Sequence, residues 1–103
     1  METIYTAANA HTGYTIAVLS EVDEDGTRYL VSDEMGAHNW WDTEDEVLAD
    51  VRDCLDNALE TCEEYAAAVV GEAEAEAEAK YLIDITREFV EKAYTGLVEV
   101  FEN

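Results

Sequence analysis

Apolar residues in the second half of the chain recur with the period of an amphipathic helix. Within residues 43–70 they form one stripe, made of Val47, Leu48, Val51, Cys54, Leu55, Ala58, Leu59, Cys62, Tyr65, Ala66, Val69 and Val70. The opposite side is polar and carries Glu46, Asp50, Asp53, Asn57, Glu60 and Glu64. Because these six positions lie across the helix from the stripe, we expect them to face water or another molecule.

The start of this helix has its own signal. Thr43 and Glu46 have the spacing of a capping box, in which each side chain bonds the backbone N–H of the other residue. Glu44 and Asp45 also suit the positive end of the helix dipole.

A second apolar stripe follows Gly71 and the alanine–glutamate run at residues 72–79. It consists of Leu82, Ile83, Thr86, Phe89, Val90, Ala93, Tyr94, Leu97 and Phe101. A single rod over residues 44–99 would be ~80 Å long at ~1.5 Å per residue, too long for a compact domain of this size. We therefore expect two helices that fold back near Gly71, with the rod as an alternative for a coiled-coil dimer.

The first forty residues have the shorter period of strands. Residues 2–8 favour extended structure, residues 9–13 have turn composition, and residues 14–22 alternate with Tyr14, Ile16, Val18 and Val22 on one face. Asp25-Gly26 predicts a two-residue hairpin turn, which would place Val22 opposite Tyr29 and Ser20 opposite Val31. Leu19 and Leu30 then lie on the other face, beside Glu21, Arg28 and Ser32. Residues 33–39 resemble a loop.

These elements predict one α+β domain over residues 1–103, with a small antiparallel sheet covered by two long helices. A chain of 103 residues has room for one modest core, and 49% hydrophobic residues argue against disorder.

The charge is extreme, with 26 acidic against 5 basic residues and a formal net charge of -21. Such a surface opposes direct binding to nucleic acid or to an anionic membrane and favours a basic partner. No signal peptide or membrane span is evident, so we expect a soluble protein in the cytoplasm of a host cell.

Catalytic chemistry has little support in the sequence. His11 and His38 lack nearby metal-ligand spacing and are predicted to be loop residues, and the acids at the hairpin do not complete a calcium loop. Cys54 and Cys62 lie ~12 Å apart along the helix, too far for a disulfide, and are expected to be buried thiols. We therefore expect no enzyme activity, catalytic residue, cofactor or metal.

The adjacent Trp40 and Trp41 are the most distinctive local feature. Packing of both in the core is favoured. The alternative is that one is exposed, because consecutive side chains of an extended segment point in opposite directions. An exposed tryptophan would be a good interface anchor.

A small, acid-covered chain without catalytic motifs resembles, in overall character, the viral DNA-mimic inhibitors, which include anti-CRISPR and anti-restriction proteins. The resemblance implies an inhibitor, monomeric or homodimeric, that blocks the basic DNA- or RNA-binding groove of a host defence protein such as a CRISPR-Cas effector. The expected partner-binding residues are Glu46, Asp50, Asp53, Asp56, Glu60, Glu63, Glu64, Trp40 and Trp41. The alternatives are a salt-adapted structural or adaptor protein and a chaperone-like binder of basic proteins.

Overall fold

The computed structural model describes residues 1–103 and contains a four-stranded sheet packed against two helices. The elements are β1 (Glu2–Ala8), β2 (Thr15–Asp23), β3 (Gly26–Asp33), β4 (His38–Trp41), α1 (Glu44–Ala68) and α2 (Ala73–Glu102). Neighbouring strands are antiparallel, in the spatial order β1-β2-β3-β4. The prediction of an α+β fold, with two long helices over a small antiparallel sheet, is confirmed.

The hydrophobic core lies between the helices and one face of the sheet. On the sheet side it contains Tyr14, Ile16, Val18 and Val31, and on the helix side Val47, Val51, Cys54, Leu55, Val90, Ala93 and Leu97. Full burial of a Val or Leu side chain stabilises a fold by roughly 1.5–3 kcal/mol. Because both helices contribute to this one core, they cover the same face of the sheet, and the opposite face has no helix on it.

The hairpin between β2 and β3 differs from the predicted one in its turn. Asp23 pairs with Gly26, so the register is offset by two residues from the expected one. A turn at Asp25-Gly26 requires positive φ at both residues, and only Gly26 has it, at 123°. Glu24 and Asp25 form the turn instead. An offset of two residues keeps the side chains on their expected faces. Val22, which the alternation places on the core face with Ile16 and Val18, is nevertheless 76% exposed, so its prediction as a buried residue was wrong.

Residues 38–41 form a fourth strand that the sequence did not predict. The Asp33 carboxylate accepts the backbone N–H groups of Met35 at 3.0 Å and Ala37 at 2.9 Å, and Gly36 has φ of 96°. These bonds close a tight turn, so the chain returns beside β3 immediately. The loop predicted at residues 33–39 is therefore shorter, and His38 lies in a strand rather than in a loop.

Both helices begin or end close to their predicted positions. The Thr43 side chain accepts the Glu46 N–H at 3.2 Å, and its hydroxyl donates to Glu46 Oε1 at 2.9 Å. The second bond replaces the expected return bond of the capping box. Helix α1 ends at Ala68, and Gly71 has φ of 93°, a conformation suited to glycine. The chain reverses there, which excludes the single rod.

Burial of the α1 stripe is continuous only along its first half, although Val69 at its end is also buried. Val47, Val51 and Leu55 are fully buried, whereas Tyr65 is 40% and Val70 72% exposed. The helix is ~37 Å long and a nine-residue strand such as β2 only ~30 Å, and the strands do not extend along the full helical hairpin. The far end of the hairpin therefore has only its own two helices to pack against.

Candidate partner-binding surfaces

The outward side of α1 is lined by carboxylates. Six exposed acidic residues of this helix lie on its outward side, and we call them the acidic helix surface: Glu46, Asp53, Asp56, Glu60, Glu63 and Glu64. The distance along the axis from Glu46 to Glu64 is ~27 Å. None of these side chains belongs to the core, because the apolar stripe that packs on the sheet lies on the other side of the helix.

Few positive charges accompany these acids. Arg52 is the one basic residue of α1; its Nε lies 3.4 Å from Asp56 Oδ1 and its Nη2 3.1 Å from Glu91 Oε1. The bond to Glu91 raises the pKa of Arg52 above its ordinary value. The other five members of the acidic helix surface have no ion pair within 4.0 Å. The surface therefore keeps most of its negative charge available to a partner.

Asp50 is the exception among the predicted acids. Its Oδ2 accepts the Trp41 Nε1–H at 2.8 Å and the Asn39 side-chain amide at 3.1 Å, and the residue is half-buried. The Cys54 thiol also donates to Asp50 Oδ1 at 3.8 Å. Asp50 thus joins α1 to β4, and it is only partly exposed, unlike the other acids predicted on this side of α1. The physical reason is the unpredicted strand, which brings two donors to this side chain.

The two tryptophans lie on opposite sides of the sheet. Trp41 pairs with Tyr29 on the helix side, where it is half-buried against the core. Trp40 pairs with Leu30 on the other side and is 44% exposed, with the Arg28 guanidinium 4.4 Å from its ring centroid. The favoured prediction of two core tryptophans was wrong, and the alternative of one exposed tryptophan is confirmed. Trp40 is separated from the acidic helix surface by the sheet.

Trp40 belongs to a second surface that the sequence analysis did not select as a site. Strand register and alternation direct thirteen side chains away from the helices, and we call them the outer sheet face: Thr3, Thr6, Ala8, Thr15, Ala17, Leu19, Glu21, Asp23, Arg28, Leu30, Ser32, His38 and Trp40. Leu19 pairs with Leu30 across the two central strands, and Glu21 pairs with Arg28 through a 3.0 Å ion pair. The sequence signal for this face was the period-two alternation, which places Leu19 and Leu30 on the side away from the core.

The two thiols have different surroundings. Cys54 is buried, and burial, reinforced by the Asp50 charge, raises its pKa to about 12. Cys62 is only half-buried, with its Sγ 3.5 Å from Thr86 Oγ1. Both are free cysteines. The prediction of buried thiols is confirmed for Cys54, and Cys62 is more accessible than expected because it lines an open cavity beside Asn9 and Tyr14.

A cavity of about 260 Å³ lies where the strand-connecting loops meet the helices, and its wall includes Asn9, Tyr14, Cys62 and Phe89. It shares no residue with the acidic helix surface. No group of three or more His, Cys, Asp or Glu side chains is arranged to hold a metal ion.

Comparison with known protein families, with curated proteins and with solved structures finds no match to this chain. Neither helix is both long and apolar enough to cross a membrane. A functional assignment must therefore come from the chemistry of the two surfaces.

Proposed function

We propose that this protein is a nucleic-acid mimic, which inserts its acidic helix surface into the basic groove of a DNA- or RNA-binding protein and blocks it. The observation that carries the proposal is a row of exposed carboxylates on one packed helix, with a single arginine among them. A nucleic-acid-binding groove presents Lys and Arg spaced to meet phosphates. A body with negative charge in a similar array competes for the same positions.

The packing of α1 supports this role because it fixes the spacing of the carboxylates. Val47, Val51 and Leu55 are fully buried beneath the acidic helix surface. A helix held in this way needs no ordering when it binds, which lowers the entropy that association must overcome. The acids therefore approach a groove as a rigid set.

One helical row alone is sparser than a nucleic-acid strand. Glu46 to Glu64 covers ~27 Å of helix axis, whereas phosphates of one DNA strand are ~3.4 Å apart along the axis. The exposed acids at the start of α2 supply further charge at the same end of the helical hairpin, and these are Glu74, Glu76 and Glu78. The mimic thus uses both helices, with α1 providing the longer row.

The distribution of acids argues against salt adaptation as the sole cause of the charge. An acid-rich surface that serves only solvation needs no preferred side, yet the outer sheet face carries only two acids, Glu21, which is paired with Arg28, and Asp23 beside the hairpin turn. A chaperone-like binder of basic proteins predicts weak, promiscuous binding. A groove-blocking mimic predicts one main target and competition with its nucleic acid.

The resemblance to viral DNA-mimic inhibitors makes host defence nucleases and CRISPR-Cas effectors the first targets to test. Capture from a host lysate compares the natural chain with two variants of equal net charge. In the first, Asp53, Glu60, Glu63 and Glu64 are all changed to Lys. The matched control changes four acids elsewhere, Glu24, Asp25, Glu99 and Glu102, to Lys; all eight positions are exposed. We expect the control to retain the target and the first variant to lose it.

Competition then tests whether the groove is occupied. Labelled duplex DNA or RNA, bound to the captured target, should be released as the natural chain is added, and fluorescence anisotropy measures this release. A target that binds the chain and its nucleic acid together, with neither affinity changed, contradicts the proposal. Loss of the helical circular-dichroism signal in low salt would instead support salt adaptation.

A further inference from the structure

We propose that the protein forms a homodimer in which the outer sheet faces of two copies pack against each other. This inference is independent of the proposed function, because it uses none of the residues of the acidic helix surface. It accounts for an apolar surface that neither helix covers.

The composition of the outer sheet face favours a covering layer. An antiparallel sheet with one solvated face normally alternates apolar residues toward the core with polar residues toward water. Here the outward positions at the middle of β2 and β3 are Leu19 and Leu30, and Trp40 beside Leu30 is 44% exposed. Apolar residues on both faces of the central strands are typical of a sheet that has a layer on each side.

The charge of the molecule favours a second copy as the partner of this face. A basic partner is drawn to the helices, and an anionic partner is repelled by a chain of net charge -21. The outer sheet face differs because it carries only two acids: Glu21 is paired with Arg28 at 3.0 Å, and Asp23 lies at the edge of the face beside the hairpin turn. An uncharged apolar surface is therefore the suitable partner for this face. A second copy presents such a surface, and this is the side on which two copies repel each other least.

The outer sheet face is self-complementary, as a twofold interface requires. A twofold axis parallel to the strands, between β2 and β3, exchanges the positions of the two central strands. Glu21 then lies opposite Arg28 of the second copy, and Leu19 lies opposite Leu30 of the second copy. Opposite charges face each other and leucine faces leucine, so one symmetry operation satisfies both features of the face.

The size of the face sets the expected strength. Four strands ~4.8 Å apart, each contributing about seven residues at ~3.3 Å, give on the order of 400 Å² per copy. Two such faces bury less than the ~1,200 Å² at the lower end of standard interfaces. The dimer should therefore dissociate on dilution. It would leave the acidic helix surfaces of the two copies on opposite outer sides, free to bind a partner.

Sedimentation equilibrium over a concentration series tests the proposal, with circular dichroism to confirm folding. We expect Leu30→Lys to raise the dimer dissociation constant at least ~10-fold, because it buries an uncompensated charge. The matched control is Val70→Lys, which adds the same charge at an apolar residue that is 72% exposed at the end of the helical hairpin. It should change the constant by no more than ~2-fold. Trp40→Lys is the second variant should Leu30→Lys fail to fold.

A charge exchange tests the twofold geometry itself. Arg28→Glu places like charges opposite each other in the dimer and should weaken it, and the double variant Glu21→Arg with Arg28→Glu should restore it. A natural chain that stays monomeric at every concentration contradicts the homodimer. So does an equal rise of the dimer dissociation constant in the Leu30→Lys and Val70→Lys variants. Failure of target capture would leave these results unchanged, so the two proposals fail separately.

Discussion

The acidic helix surface and the outer sheet face point away from the same core and differ in nearly every property. The first carries six exposed carboxylates with one arginine among them, and the second carries two acids, of which Glu21 is paired with Arg28. The first has no large apolar side chain, whereas the second has two leucines at its centre and an exposed tryptophan. No helix or strand covers either surface.

The difference shows that the acids are unevenly spread, because 17 of the 26 lie in the two helices. A requirement for solubility alone would place acids on the sheet as readily as on the helices. The helices instead hold most of the acids, and the outer sheet face has apolar residues at its centre. Two surfaces of opposite chemistry suit two different partners, a basic groove for one and a second copy of the chain for the other.

The largest expected effect separates the two surfaces by mutation. Changing Asp53, Glu60, Glu63 and Glu64 to Lys should weaken target binding at least ~100-fold, because each substitution replaces an attraction with a repulsion. Leu30→Lys should leave target binding within ~2-fold, because Leu30 lies on the other side of the molecule. Isothermal titration of the captured target measures both. Equal losses in the two variants would show that target binding uses the outer sheet face as well.

The next effect separates Asp50 from the free acids of α1. Asp50→Ala leaves the half-buried Trp41 indole N–H without its acceptor at 2.8 Å and should lower the free energy of unfolding by ~1–3 kcal/mol. Asp53→Ala, on the same helix and exposed, should change it by no more than ~0.5 kcal/mol. Urea unfolding followed by circular dichroism gives both values. Similar values for the two variants would mean that the bond to Trp41 is not structural.

The core between the two surfaces predicts a loss of stability in alkali. Burial raises the pKa of Cys54 from 9.0 to about 12, and burial with the bond to Asp33 also raises the pKa of Tyr14 above its ordinary 10.0. A group whose pKa is raised by folding stabilises the protein fully below its unfolded value and loses that contribution as the pH rises toward the folded value. Urea midpoints should therefore fall above about pH 9.

Cys54→Ala is the variant that checks this pH dependence. It should lower stability at neutral pH, by ~1–2 kcal/mol, through lost packing. Its stability should then fall less than that of the natural chain between about pH 9 and pH 11. Identical alkaline slopes for the Cys54 variant and the natural chain would contradict the role given to this thiol.

The smallest effect lies at the start of the acidic helix. Thr43→Ala removes the side chain that accepts the Glu46 N–H at 3.2 Å and should cost ~1 kcal/mol of stability. Thr43→Ser keeps the hydroxyl and should restore most of it. Thermal unfolding of the three chains provides the comparison, and an unchanged midpoint for Thr43→Ala would show that the cap is dispensable.

The sequence was sufficient for features that depend on local chemistry. The cap at Thr43, the reversal at Gly71 and the buried stripe of α2 follow from short-range spacing, and all three are present. The choice of turn was harder, because Asp25-Gly26 suits a two-residue turn while Glu24-Asp25 followed by glycine suits another. Only the φ values distinguish the two.

The missed features depend on contacts between distant residues. β4 has four residues and no alternation, and it exists because the Asp33 carboxylate closes the turn before it. The bond of Asp50 to Trp41 follows from that strand and could not be foreseen without it. Similarly, Gly96 leaves room for Tyr5, whose hydroxyl donates to Ala93 O at 2.8 Å across 88 residues of sequence. No local pattern encodes such a contact.

The most direct test of the contrast between the two surfaces is a salt titration of both equilibria. Target binding and self-association of the natural chain are measured by analytical ultracentrifugation between about 0.05 and 0.5 M salt, over which the screening length falls well below ~10 Å. Target binding should weaken at least ~10-fold, because it joins opposite charges, and self-association should strengthen, because salt screens the repulsion between two chains of net charge -21. Two equilibria that shift in the same direction would contradict the assignment of charge attraction to the helices and apolar contact to the sheet.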